Sequence, residues 1–355
     1  MKYLTITGLS IVTALNGVSA WAQKPQDPFS VEAREYLGTP QSEAAVSRGL
    51  EFLAKQQEPD GHWNSGSYKA DSAVSGLCAL AFLSAGHQPG RGKYGAHLDR
   101  AADYLADSVQ RNGLIRREGA GNAGPPMYGH GFATLALAEI YGMTRRPDFR
   151  SKLESAVQLI LSSQNAEGGW RYQPTSADAD ISVTAVQVLA LRAAHNAGVK
   201  VPDETVKRAI GYIKRCQNNP DGGFSYQAAS RGSGPARTGA GVTCLMISGE
   251  RNSPECQAGV RYLLDHPLEG PNGAMTYEWA YRQHEYYAYY YCTQAMYQAG
   301  GTPWRNWFTM LRERLIAKQN RSEGYWTDSP GREYATAMAV LSLQVPAGLL
   351  PIYQK

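Results

Sequence analysis

The sequence predicts an all-α protein, an (α/α)6 toroid in which six helical hairpins form a double ring. Three observations carry that expectation. A unit of about fifty residues recurs, each copy pairs a polar-faced helix with an apolar one, and no run alternates with period two for long enough to need a sheet. The copies are anchored at Arg48, Arg100, Ser155, Arg208, Ala258 and Met310, spaced 52, 55, 53, 50 and 52 residues apart.

The first half of each copy is amphipathic. Residues 45–56 gather Val46, Leu50, Phe52 and Leu53 on one face and turn Glu51 and Lys55 to water. The helix stops at Gln57 and a turn, Glu58-Pro59-Asp60-Gly61, which leads to Trp63. The same ending recurs as Gln164 before Gly168-Gly169-Trp170, Gln217 before Gly222-Gly223-Phe224, and Gln319 before Gly324-Tyr325-Trp326. Degenerate copies carry Gly113-Leu114 and Gly273. The second half is small and apolar on all sides, as in residues 72–81, 182–191, 239–247 and 335–343. A helix without a polar face is buried all round, so two concentric rings are expected. Neighbouring repeats cover one another's apolar sides, and a closed ring leaves no end to cap.

Composition narrows the class further. Among 355 residues, 43% are hydrophobic and 19% charged, which excludes a disordered or fibrous chain. Lys plus Arg number 35 against 31 Asp plus Glu without basic clusters, so no nucleic-acid partner is expected. Lys2, an uncharged segment from Tyr3 to Val18 and Ala20-Trp21-Ala22 have the layout of a signal peptide cleaved after Ala22. Its loss takes the net charge from +4 to +3, and the expectation is a secreted or periplasmic protein. Residues 23–39 then read as a linker and 40–355 as the toroid. No other run reaches about 18 uncharged apolar residues, so stable membrane insertion is not expected. Cys78, Cys216, Cys244, Cys256 and Cys292 contain no CxxC pair, which excludes a zinc ribbon. Buried small hydrophobes are the reading for them, with one or two disulfides left open.

The pattern Arg/Lys-Gly/Ala-x-x-aromatic-Leu-x-x-x-Gln, followed by Gly-x-Trp, resembles the QW repeat of squalene-hopene and oxidosqualene cyclases. The β-subunits of protein prenyltransferases and complement thioester domains share that six-hairpin toroid. The resemblance covers nearly all of residues 43–353 and is strongest to the single-domain squalene-cyclase-like repeat proteins that bacteria export. It implies that each Gln ties one outer helix to the next and that the aromatic ring covers the junction. Trp63, Trp170 and Trp326 therefore read as structural staples rather than ligand contacts. An amide donates and accepts, so one Gln could satisfy orphan groups at two helix ends.

In such a toroid the N-terminal ends of the inner helices surround the lumen, presenting backbone N–H groups and partial positive charge. The candidates opening those helices are Asp71, Tyr128, His130, Asp178, Asp180, Arg237, His284, Glu285, Tyr286, Tyr287, Tyr290, Arg332, Glu333 and Tyr334. Asp178, Asp180, His130 and Glu285 are the acid–base candidates; Asp71, Tyr128, Arg237, Tyr286, Tyr287, Tyr290, Glu333 and Tyr334 are the candidate ligand contacts. Asp71 and Asp180 also precede apolar helices in the manner of N-caps. Tyr286, Tyr287, Tyr289, Tyr290 and Tyr291 cover every side of one inner helix, so some of them face the lumen.

Asp178-Ala179-Asp180 invites comparison with the DxDD acid of class II terpene cyclases, but Ile181 stands where the last Asp would be. Ile181, Ser182 and Val183 separate Asp180 from Thr184-Ala185, about one helical turn out of register. The cyclases with this repeat also build their cavity between two helical barrels, whereas one is expected here. Proton-initiated cyclisation of squalene is accordingly not expected. The prenyltransferase zinc ligands are not intact either, since Tyr290 occupies the position two before Cys292. No metal and no cofactor is expected. What remains is a protein that holds an apolar or isoprenoid-type small molecule in an aromatic lumen. The alternatives are a polysaccharide-active lyase or hydrolase with a carbohydrate partner, and a non-catalytic interaction scaffold.

Overall fold

The computed structural model describes residues 37–117, 124–268 and 284–354. The proposed signal peptide, most of the linker and Gly273 lie outside the described residues. Among them the chain forms helices and no strand. The helices are α1 (Pro40–Gln56), α2 (Ser72–Ser84), α3 (Gly95–Asp107), α4 (Pro126–Thr144), α5 (Pro147–Ser163) and α6 (Ile181–Asn196). They continue as α7 (Asp203–Arg215), α8 (Pro235–Ile247), α9 (Pro254–Asp265), α10 (Glu285–Ala299), α11 (Gly301–Lys318) and α12 (Arg332–Gln344).

The odd-numbered helices form the outer ring. In α1, Thr39 and Ser42 build a capping box, Pro40 opens the first turn, and Val46, Leu50, Phe52 and Leu53 are buried. The even-numbered helices form the inner ring and are mostly buried; all of α2 except Ala73 is buried. Each inner helix packs on the next, from α2 through α4, α6, α8 and α10 to α12, and α12 packs back on α2. That last contact closes the ring, as the repeat predicts.

Four of the junctions between repeats use the same parts. The Nε2 groups of Gln57, Gln164, Gln217 and Gln319 donate to the carbonyls of Gly61, Gly168, Gly222 and Gly324 in their own turns. Their second N–H reaches His97, Thr205, Glu255 and Ala45 on the following outer helix. These acceptors lie early in that helix, not at an orphaned end, so the expectation for Gln is corrected. The orphan is satisfied by the indole: Trp63, Trp170 and Trp326 donate to Leu53, Ile160 and Leu315, each at 2.7 Å and each among the last four carbonyls of its helix. The turn must also be glycine. At Gly168 φ is +96°, and an added Cβ would lie 2.3 Å from the Arg208 carbonyl oxygen.

After α12, short 3-10 turns at Val345–Ala347 and Pro351–Tyr353 cross the C-terminal ends of the inner helices. Glu139 of α4 accepts the Ile352 N–H at 3.2 Å, and Gln298 of α10 donates to the Tyr353 carbonyl at 3.3 Å. The chain's own tail thus covers one end of the ring, which leaves the other end for a site. No described helix is long and apolar enough to cross a membrane. All five cysteines are buried and free.

Candidate functional site

The N-terminal turns of all six inner helices surround a cavity of about 570 Å³. Apolar side chains from α2, α4 and α10, among them Val74, Leu77, Phe132 and Ala288, line its inner part. Tyr68, Tyr128, Tyr172, Tyr226, Tyr287 and Tyr334 add phenol rings around them, and Asp71, Arg237, His284 and Glu285 supply charge or polarity.

Asp71 and Asp180 share one device. Asp71 Oδ1 accepts the N–H groups of Ala73 and Val74 at 2.8 and 3.2 Å, capping α2. Burial pushes its pKa up, against the pull of those two bonds and of Arg116. Asp180 Oδ1 caps α6 through Ser182 and Val183, both at 2.9 Å. Asp180 is 0% exposed, and burial raises its carboxyl to about 6 although the backbone bonds, Tyr226 and Arg171 favour the charged form. Its Oδ2 sits 3.8 Å from Arg171 Nε. Asp71 lines the cavity; Asp180 stands behind Tyr226 and Ser182.

Other candidates diverge from the cavity. Asp178 is exposed and bonded to Arg171, so Asp178 and Asp180 do not form a pair. His130 is 0% exposed and wedged between repeats: its Nδ1 accepts the Ile115 N–H at 3.2 Å while Nε2 lies 3.1 Å from the Ala156 carbonyl. Ser75, Thr184, Thr238 and Thr336 do the same work in other copies, accepting the N–H of Trp63, Trp170, Phe224 and Trp326. His130 is therefore a structural staple, and Ile115 rather than Leu114 takes the aromatic position. Glu285 lines the cavity, but its carboxylate is bonded by Lys318 at 2.6 Å and by the Tyr289 hydroxyl. Burial would raise its pKa, yet those bonds and Arg314 outweigh it and hold the group ionised.

Of the five clustered tyrosines, Tyr287 lines the cavity. Tyr286 is 2% exposed, with its ring 5.5 Å from that of Tyr289. Tyr290 lies against Phe132, below the cavity, and Glu333 is not part of the lining. Arg237, Tyr128 and Tyr334 do line it.

The sequence reading missed Tyr172 and Tyr226, whose hydroxyls bond to each other across adjacent repeats. A signal existed, because each stands two residues after the buried aromatic of its copy, Trp170 or Phe224. In extended backbone that spacing returns a side chain to the same face. Chemically, the arrangement offers a wide apolar surface, a tyrosine pair and a carboxyl, Asp71, whose pKa burial raises, a combination suited to a ligand with a long hydrocarbon part.

Comparison with known proteins agrees with the geometry. The chain is 25% identical over 218 residues to drimenyl diphosphate synthase of Streptantibioticus cattleyicolor, a stretch covering 58% of this chain and 37% of that enzyme. Among solved structures, an alpha-1,6-mannanase of Salegentibacter in complex with alpha-1,6-mannotriose superposes with a TM-score of 0.63 at 10% identity, over 87% of this chain and 99% of that one. The type II terpene cyclase MstE from Scytonema, in complex with geranylgeranyl dihydroxybenzoate, gives 0.59 at 14% identity, over 87% and 98%. At such identities the structural likeness speaks for the fold alone. Residues 28–276 match the family described as prenyltransferase alpha-alpha toroid domain. With the closed double ring and its repeated junctions, the match has one meaning: the chain belongs to the prenyltransferase alpha-alpha toroid domain family.

Proposed function

We propose that this protein holds an apolar, isoprenoid-type ligand in the cavity at the N-terminal ends of its inner helices, after export and removal of residues 1–22. The observation that carries this reading is the lining itself, an apolar interior of Val74, Leu77, Phe132 and Ala288 below a collar of phenols. A volume of about 570 Å³ falls within the span of roughly 300–1,000 Å³ usual for small-ligand sites. Tyrosine rings give flat apolar area with a polar tip, which suits a branched hydrocarbon bearing an oxygen function. The match to a diphosphate-forming terpene enzyme supports the same class. Within it, cyclase-type chemistry is the reaction to look for, and of the four acid–base candidates Asp180 is the one that burial holds protonated up to about pH 6.

The mannanase neighbours raise a carbohydrate reading. It needs one carboxylic acid and one carboxylate flanking the scissile bond. The lining carboxyls do not favour it, because Asp71 is occupied in capping α2 and the Glu285 carboxylate is tied to Lys318 and Tyr289.

Native mass spectrometry of the exported protein, before and after lipid extraction, tests the proposal. The expected result is a bound mass removed by organic solvent, or a mass shift on adding farnesol to stripped protein. A clean apo mass with no shift on adding isoprenoids removes the reading, and a shift with mannotriose instead transfers the cavity to carbohydrate.

A further inference from the structure

One wall of the cavity carries a polar anchor above a hydrocarbon track. Asp71 lines the cavity, is 7% exposed, and uses only one of its oxygens for the helix it caps. Oδ1 accepts the N–H groups of both Ala73 and Val74, at 2.8 and 3.2 Å. Among the described residues no hydrogen-bond donor reaches Oδ2. A carboxyl oxygen held out of water without a partner is unfavourable. This one lies beside Gly124, itself part of the lining, where a ligand can supply the partner.

Two glycines keep that oxygen uncovered. Neither has a φ that requires glycine. At Gly124 an added Cβ would stand 3.5 Å from Asp71 Oδ2 and 3.2 Å from Tyr68 Cε1, in contact with both. Gly129 sits within α4, where glycine weakens a helix relative to alanine. Its Cβ would meet nothing closer than Ser72 Cβ at 3.5 Å and the Ala73 nitrogen at 3.6 Å, which is ordinary van der Waals contact. Neither backbone conformation nor close packing therefore accounts for glycine at 129. What the missing methyl leaves is room in the cavity over the first turn of α2.

Below the anchor the wall changes character. Val74 and Leu77 follow Asp71 at steps of three residues, a spacing that keeps side chains on one helix face and descends about 4.5 Å each time. Both line the cavity, and Phe132 and Ala288 continue the apolar surface. The wall thus gives a ligand a direction, with its polar group at the mouth and its hydrocarbon toward the floor. A hydroxyl suits the anchor in either protonation state, because it donates to a carboxylate and accepts from a carboxylic acid.

We infer that the first turn of α2 seats the ligand's polar end, a hydroxyl, with Asp71 Oδ2 as its hydrogen-bond partner and Gly124 and Gly129 as the residues that make room for it. The inference rests on the isoprenoid reading above and fixes the ligand's orientation within it.

Binding of farnesol, farnesal and the saturated hydrocarbon farnesane to the full chain at pH 8, followed by intrinsic fluorescence, tests it in the parent and two variants. In the parent, farnesol should bind about tenfold tighter than farnesane, the worth of one good hydrogen bond. Asp71→Asn keeps the cap, because an amide oxygen accepts the two N–H groups about as well as a carboxylate does, and that geometry turns Nδ2 toward the cavity. A donor then replaces the acceptor that an ionised carboxylate presents, so the ratio of farnesol to farnesal affinity should fall about tenfold. Gly129→Ala should melt at or above the parent temperature, since alanine favours the helix, yet lose most of the farnesol advantage while farnesane affinity holds. A purely structural glycine would not produce that combination. Should Asp71→Asn melt far below the parent, Gly129→Ala decides by itself. An unchanged farnesol-to-farnesal ratio in folded Asp71→Asn, or parent-like farnesol binding in Gly129→Ala, overturns the inference and leaves the isoprenoid reading standing. Failure of all three probes in the parent overturns both.

Discussion

Gln319, at the end of the last outer helix, donates a 2.8 Å hydrogen bond to the carbonyl of Ala45 in the first. Its Oε1 accepts from Arg48 Nη2 at 2.7 Å, so a single side chain latches residues 271 and 274 positions away. Gln319→Ala removes both links and strips a donor from the Gly324 carbonyl. The expected cost is about 2 kcal/mol in urea unfolding. Val109 stands at the corresponding place in a degenerate copy, and its neighbour Gln110 donates to Arg116 of its own repeat. Gln110→Ala should therefore cost about 1 kcal/mol. Equal losses in the two variants would show that the latch contributes nothing beyond a local bond.

Glycine at the repeat junction separates two effects that usually travel together. Gly168→Ala places a Cβ 2.3 Å from the Arg208 oxygen at φ +96°, so neighbouring repeats must move apart. Gly232→Ala meets a similar φ of +88° with nothing within 4 Å. The second variant isolates backbone strain, about 1 kcal/mol. The first adds steric overlap and should exceed about 3 kcal/mol. Thermal melts of the pair decide whether close approach or φ fixes the residue; similar melting points would exclude close approach.

These junctions were legible because every copy makes the same geometric demand, and a demand met repeatedly leaves a periodic trace. Gln57, Gly61 and Trp63 predict their counterparts at Gln164, Gly168 and Trp170, and the bonds are the same in each. The cavity wall leaves no such trace. Tyr172 and Tyr226 face the same space only because adjacent repeats bring them together. Tyr286 and Tyr287 are neighbours in sequence, yet one packs against Tyr289 and the other lines the cavity. His130 misled for a related reason. It opens an inner helix as a lumen residue would, but it does the task that Thr184 does one repeat later.

That role makes His130 a pH-dependent staple. Burial holds its pKa down at about 4, below the ordinary 6.5. Between those values the unfolded chain binds a proton that the native imidazole refuses, so stability rises with pH. The contribution, about 3 kcal/mol, is fully present above pH 6.5 and is lost as pH falls through about 4. His130→Asn keeps a donor and an acceptor but does not titrate. Urea unfolding from pH 4 to 7 should give a shallower slope for the variant than for the parent; parallel slopes would rule the staple out as the source.

Glu139 has the opposite sign. It is 4% exposed, accepts the Ile352 N–H, and burial raises its pKa to about 7 against the pull of that bond. The phenols of Tyr290 and Tyr353 lie near it, and Arg or Lys is not among the groups that shift it. Between pH 4.5 and 7 the native state binds a proton that the unfolded chain has released, so stability is fully present below 4.5 and falls as pH rises through about 7. The loss, about 3 kcal/mol, falls on the segment that covers the ring's far end. Glu139→Gln preserves the acceptor for Ile352 and removes the charge. The variant should be more stable than the parent at pH 8 and nearly equal to it at pH 4.5. Hydrogen exchange at the Ile352 amide adds a local reading, because opening of the tail in the parent should increase with pH beyond the intrinsic rate and stay flat in Glu139→Gln. Identical protection in both proteins at pH 8 would mean that the carboxylate finds water without disturbing the tail.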